Sequence, residues 1–137
     1  MSARTFLDTN VLLYADNIHF PAKRERAESL ISEVTAAQSG HVSMQVLLEY
    51  FRGATRKLHL SADLAQKRVV TYSQFEVVIP DPGDLLAAID LHREHQFSIF
   101  DALIVRAALI SHCEILYTED MQDGRRIDGL TIVNPFR

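Results

Sequence analysis

Four acidic residues, Asp8, Glu49, Asp101 and Asp120, stand in four separate parts of the 137-residue sequence, and three of them have hydroxyl or amide neighbours in Thr9-Asn10, Ser98 and Thr118. If the fold gathers them, they form an oxygen-only ligand set for a hard cation. Mg²⁺ suits such a set because it keeps several waters and bridges carboxylates to substrate phosphates, and Mn²⁺ can take its place. Two such ions can activate a water and stabilise the leaving oxygen of an in-line phosphodiester displacement.

Each acid also has a plainer account. Asp8 can initiate a turn or N-cap a short helix beginning at Val11. Glu49 can pair with Arg52 or Arg56 on an exposed helix face, beside a Gly53 that lets another group approach closely. Asp101 completes a Ser-x-x-Asp capping box with Ser98. Asp120 can be a simple loop acid, with Glu119 and Asp123 as rivals for its place. Other chemistry finds less support. Cys113 is the only cysteine, so no intramolecular disulfide can form and a thiolate metal site lacks ligands. His92 and His95 fall near a helix C-terminus, where a solvated cationic role is expected, and the His112-Cys113 neighbours do not face each other on a helix. No glycine-rich phosphate loop is present.

The elements that must position these acids can be read from periodicity. Thr5-Phe6-Leu7 is a short buried strand ending at Asp8. Ala27, Leu30, Ile31 and Val34 form the apolar stripe of a helix that begins at Pro21 and is expected to end at Gly40. His41-Val42-Ser43 is a brief strand, and Ser43 caps a helix with Val46, Leu47, Tyr50, Ala54 and Leu58 on one side. A further helix follows Ser61. Glu76 to Ile79 is a strand stopped by Pro80, after which Asp81-Pro82 starts a helix running to about His95. Ser98 caps an almost wholly apolar, buried helix from Ile99 to Ile110. Ile115-Leu116-Tyr117 leads into Thr118-Glu119-Asp120, Asp123-Gly124 is a turn, and Thr131-Ile132-Val133 is the last strand.

Short strands alternating with helices predict an α/β protein, a three-layer α/β/α domain over residues 1–137 around a short-stranded parallel sheet. Sites in such sheets lie beyond the carboxyl ends of the strands. Asp8 and Asp120 follow strands directly, and Glu49 and Asp101 lie in early turns of helices starting at that same edge. Convergence of four acids there outweighs the separate explanations.

Composition sets the outer bounds. Hydrophobic residues at 47% and charged residues at 23% suit a folded globular chain. The N-terminus reaches Asp8 before a signal-peptide apolar region develops, and no run is long enough to span a bilayer, so a cytoplasmic protein is expected. A net charge of −4 argues against a nucleic-acid partner until two divalent ions are counted at the acids, which brings the balance to zero. The basic clusters Lys23-Arg24, Arg56-Lys57, Lys67-Arg68 and Arg125-Arg126 then remain for phosphates.

Four segments in order, Phe6-Leu7-Asp8-Thr9-Asn10-Val11-Leu12, Ser43 to Phe51, Ser98-Ile99-Phe100-Asp101-Ala102-Leu103-Ile104 and Thr118 to Gly124, together with the terminal Asn134-Pro135-Phe136, resemble the successive motifs of bacterial PIN-domain proteins, especially VapC-type toxins. The resemblance spans the chain. It implies an endoribonuclease, a homodimer, and inhibition by a small antitoxin protein. It places the acidic quartet on Asp8, Glu49, Asp101 and Asp120 and supporting roles on Asn10, Ser98 and Thr118, and its Thr-x-Asp pattern favours Asp120 over Glu119; Asp123, in the same acid-rich loop, is a further supporting candidate. Arg52 and Arg56, near Glu49 on the same helix, are expected to position RNA phosphates. Two other readings stand beside this one. One is a catalytically silent PIN-like domain that binds RNA or protein. The other is an aspartyl-phosphate hydrolase using Asp8 as nucleophile, for which Asn10 occupies the place of the usual second acid.

Overall fold

The computed structural model describes residues 2–137; Met1, the first residue of the expected domain, lies outside them. The order of elements is β1 (Thr5–Leu7), α1 (Thr9–Tyr14), α2 (Pro21–Ala36), β2 (Gly40–Ser43), α3 (Met44–Arg56), α4 (Ala62–Tyr72), β3 (Glu76–Val78), α5 (Pro82–His95), α6 (Ile99–Ile110), β4 (Ile115–Tyr117), β5 (Arg126–Ile127) and β6 (Leu130–Val133). Strands are short, but the central ones are apolar at successive positions. Phe6 and Leu7 in β1 are both fully buried, which is what a strand covered on both faces requires.

The six strands form one sheet in the order β3-β2-β1-β4-β6-β5. Neighbours pair in parallel from β3 through to β6, and β5 runs antiparallel to β6. The expected parallel sheet is therefore a mostly parallel, mixed one. From β1 the chain moves outward to β2 and β3 through α1 to α4, then returns past them to β4 through α5 and α6. Right-handed crossovers place α1 to α4 on one face and α5 and α6 on the other. The direction of winding reverses between β1 and β4, and an open sheet has its crevice at such a reversal.

Several details differ from the sequence reading. The first helix, α1, begins at Thr9 directly after its cap Asp8, not at Val11, and β3 ends at Val78, one residue before Ile79. The helix α2 ends at Ala36, not at Gly40, and Gln38 takes the left-handed conformation (φ 54°) that turns the chain. Gly40 instead begins β2, where an added Cβ would come within 2.6 Å of the Phe75 ring. The strand β5 was not anticipated, although Asp128-Gly129 carries its signal. Both residues have positive φ, 49° and 87°, as the favoured two-residue hairpin turn demands. No helix among the described residues is long and apolar enough to cross a membrane.

Candidate active site

Asp8 and Thr118 are brought side by side by strand register. Leu7 pairs with Tyr117 across β1 and β4, and the Asp8 N–H donates to the Tyr117 carbonyl at 3.1 Å. Asp8 is 5% exposed and N-caps α1, its Oδ1 accepting from the Thr9 N–H at 2.7 Å. The turn-forming role and a site role thus coexist. The Thr118 hydroxyl, fully buried, donates to Asp8 Oδ2 at 2.9 Å and accepts from Asn10 Nδ2 at 3.0 Å and from the Asp120 N–H at 3.1 Å. One hydroxyl uses its donor and both its acceptor positions here. Asn10 completes the arrangement: its Nδ2 also reaches Asp120 Oδ2 at 3.1 Å, and its Oδ1 accepts from the Glu119 N–H at 3.2 Å.

Glu49 arrives from the α3 side of the sheet. Its carboxylate accepts from Thr9 Oγ1 at 3.4 Å and Gln45 Nε2 at 3.3 Å, and it makes no ion pair with Arg52 or Arg56. Gly53 allows the close approach expected of it, since a Cβ there would lie 2.8 Å from Leu13 of α1. Asp101 arrives from the opposite face, in the first turn of α6. Ser98 Oγ accepts from its N–H at 3.1 Å, the half of the capping box that holds the backbone.

Asp8 and Asp101 both feel the charges of Asp120 and Glu49. Burial, followed by the charges of Asp120 and Glu49, pushes the Asp8 carboxyl up from 3.8 to about 7, although the Thr9 and Thr118 hydrogen bonds oppose the rise. Burial and the same two neighbours also raise Asp101. None of the four is in a salt bridge among the described residues. Anions gathered without a cationic partner, beside a buried Gln45 Oε1 that finds no donor, suit a hydrated hard cation. Among the described residues no three Asp, Glu, His or Cys side chains converge tightly enough to cage an ion unaided. A cation held here by Asp8, Glu49, Asp101 and Asp120 would therefore retain much of its water, which is the habit of Mg²⁺.

Asp123 does not join them. Its oxygens accept from the Asn134 N–H at 2.7 Å and meet Arg137 at 3.6 Å, so it ties down the C-terminal segment instead of supporting the acids. Glu119 is likewise engaged elsewhere, by Lys23 Nζ at 2.8 Å and the Tyr14 hydroxyl. The sequence reading noted Thr9 beside Asp8 but not its contact with Glu49, and it missed Gln45 and the Lys23–Tyr14–Glu119 contact; of the last two only Gln45 had a local signal, four residues before Glu49 on one helix. His92 Nδ1 meets the Phe97 carbonyl at the end of α5, and Cys113 is buried with its thiol pushed up by burial, so neither histidine nor thiol chemistry emerges. With both Asp8 oxygens hydrogen-bonded and almost no exposure, attack by Asp8 on a phosphate ester is disfavoured.

The PIN-domain family model matches residues 5–129. The chain belongs to the PIN-domain family. Solved structures that resemble this PIN domain include a toxin-antitoxin complex from Klebsiella pneumoniae, 24% identical with a TM-score of 0.67, covering 96% of this chain and 97% of the other. VapBC2 from Rickettsia felis, bound to a DNA fragment from its promoter, is 19% identical with a TM-score of 0.65 over 93% and 96% of the two chains. VapC20 from Mycobacterium tuberculosis, a sarcin-ricin loop cleaving toxin, is 16% identical with a TM-score of 0.64 over 82% and 86%. At these identities the likeness is one of fold. No curated protein sequence matches the chain.

Proposed function

We propose that this PIN domain is a Mg²⁺-dependent endoribonuclease, with Mn²⁺ as a substitute ion, and that it is the toxin of a toxin-antitoxin pair. The observation that carries this reading is the set of four carboxylates at the sheet's switch point, two of them raised by burial and by the charge of the other two, and none with a cationic partner among the described residues. When bound, the ion would supply an activated water and charge stabilisation at the leaving oxygen. Asp8, Glu49, Asp101 and Asp120 would hold it together with its retained waters. Asn10 and Thr118 fix the direction of the Asp8 and Asp120 carboxylates, and Ser98 anchors the turn that carries Asp101. Arg52 and Arg56, both exposed, position phosphates along α3. The motif order that resembles VapC-type toxins, and structural neighbours described as a toxin-antitoxin complex and a sarcin-ricin loop cleaving toxin, support an antitoxin partner. The same motif resemblance supports a homodimer, and the single cysteine suits a reducing cytoplasm.

The test incubates parent and Asp8→Asn proteins with RNA and, separately, with an aryl phosphate, in metal-free buffer and with Mg²⁺. Cleavage of RNA alone, dependent on Mg²⁺ and lost in the variant, is the expected result. Activity surviving exhaustive chelation would overturn the metal mechanism; RNA binding without cleavage would make the domain a silent binding module.

A further inference from the structure

A cleft of about 470 Å³ opens beside the acids, with Asn10, Glu49 and Asp120 in its wall. Its remaining surface has a different character. Leu13, Tyr14, Phe20 and Leu58 make it apolar, Thr9, Asn17 and His19 add polar groups, Lys57 adds a positive charge, and the Glu119 carboxylate there is already held by Lys23. Phe20 stands at the N-cap of α2 and is 49% exposed. Its ring is held in place: Tyr14 meets it edge-on at 5.8 Å and 81°, and Lys23 Nζ lies 5.8 Å from its centroid. Tyr14 is itself braced by Phe136 at 4.9 Å. The Asn17 Oδ1 accepts from the His19 N–H at 3.0 Å, and no hydrogen bond among the described residues uses the Asn17 amide donors. Lys57 makes no ion pair among the described residues.

A rigid, half-exposed aromatic face, unused amide donors and an unpaired cation match the parts of a nucleotide: a flat apolar base, its polar edge and its phosphate. We infer that this cleft is a subsite for one unpaired nucleobase of single-stranded RNA, stacked on Phe20 and placed next to the phosphodiester that the acids address. The inference rests on the nuclease reading and adds to it which part of the substrate is gripped. A base in a duplex has both faces covered by its neighbours and cannot enter. Stacking on one aromatic ring accepts any base, so the cleft selects for an unpaired nucleotide more than for its identity.

The experiment measures binding of a single-stranded oligoribonucleotide carrying a fluorescent purine analogue, in the Asp8→Asn background so that the RNA stays intact. Phe20→Ala and Phe20→Trp are compared with Phe20 in that background, and a duplex of the same sequence serves as reference. Phe20→Ala should raise Kd for the single strand about tenfold and abolish the stacking quench, Phe20→Trp should preserve both, and duplex binding should not depend on residue 20. Equal affinity and equal quench in Phe20→Ala would overturn the subsite while leaving the nuclease reading intact. RNA binding unchanged in Phe20→Ala, together with lost binding of a co-expressed neighbouring-gene protein, would assign the cleft to a protein segment instead. Failure of the protein with both Asp8 and Phe20 intact to bind or cleave any RNA in the presence of Mg²⁺ would overturn both readings.

Discussion

Asp8 carries two demands on the same carboxylate, since it caps α1 and bonds Thr118 while lying almost wholly out of solvent among like charges. The folded protein holds the Asp8 proton up to about pH 7, whereas a free aspartate carboxyl releases it near 3.8. Between these values the folded state binds more protons than the unfolded one, so stability falls as pH rises through that window and is highest below it, a swing on the order of a few kcal/mol. Asp101, raised for similar reasons, acts in the same direction. Urea melts of the metal-free protein across this range should show the decline, and Asp8→Asn should flatten it; a parent that gains stability towards neutral pH would contradict the placement of Asp8. The same variant tests the ion. Mg²⁺ at ~100 times its dissociation constant should stabilise the parent by roughly 2.7 kcal/mol, and Asp8→Asn should lose most of that gain together with cleavage. In the variant an amide N–H₂ replaces the oxygen that Thr118 donates to, and Thr118 already accepts two bonds, so some of the relief from repulsion is offset.

The loop after β4 and the helices around it set where Asp120 stands. Glu119 is clamped by Lys23 and Tyr14 from α2 and α1, and the next residue is the acid that Asn10 holds. The Lys23–Glu119 pair is partly exposed, with side chains 35% and 21% accessible, so its loss should cost about 1 kcal/mol of stability or less. Its effect on the loop should be larger. Lys23→Met is expected to raise the Mg²⁺ concentration giving half-maximal cleavage while leaving the melting temperature nearly unchanged, and an unaltered Mg²⁺ titration would reduce the clamp to a surface contact. On α3, Arg52 and Arg56 lack ion-pair partners among the described residues. The double alanine variant should weaken RNA binding and lower the salt slope by about 2, with the Mg²⁺-induced stabilisation preserved. An unchanged slope would mean that these arginines serve only to keep the helix surface solvated.

At the level of the whole molecule, apolar surface collects where α3 and α6 begin. Met44, Leu48 and Phe100 are 50%, 66% and 66% exposed, and Gln45 Nε2 joins the two helices by donating to the Phe100 carbonyl at 3.3 Å. Exposed apolar clusters of this kind are commonly covered by another surface. The expected homodimer would cover this one. Light scattering should give twice the chain mass for the parent and a shift towards monomer for Leu48→Lys; a strict monomer at high micromolar concentration would refute the dimer.

Residue pattern determined the existence of the elements and the edge at which the acids meet. Phe6-Leu7 in succession marked a strand buried on both faces, Ser43, Ser61, Asp81 and Ser98 marked helix starts through their side-chain caps, and those starts put Glu49 and Asp101 at the same end as Asp8 and Asp120. These signals are local, because caps and periodicity act over a few residues. Other features depended on contacts between distant residues. Glu119 and Asp120 are adjacent acids, and only Lys23 and Tyr14, about a hundred positions away, draw one aside while Asn10 holds the other. Asp123 reads from sequence as a supporting acid, but the C-terminal segment engages it through the Asn134 N–H. Gly40 read as a helix stop because its need for space comes from the Phe75 ring, which no local pattern announces. The rise of Asp8 has the same origin: desolvation and like charge depend on what packs around a carboxylate, and tertiary structure alone supplies that surrounding.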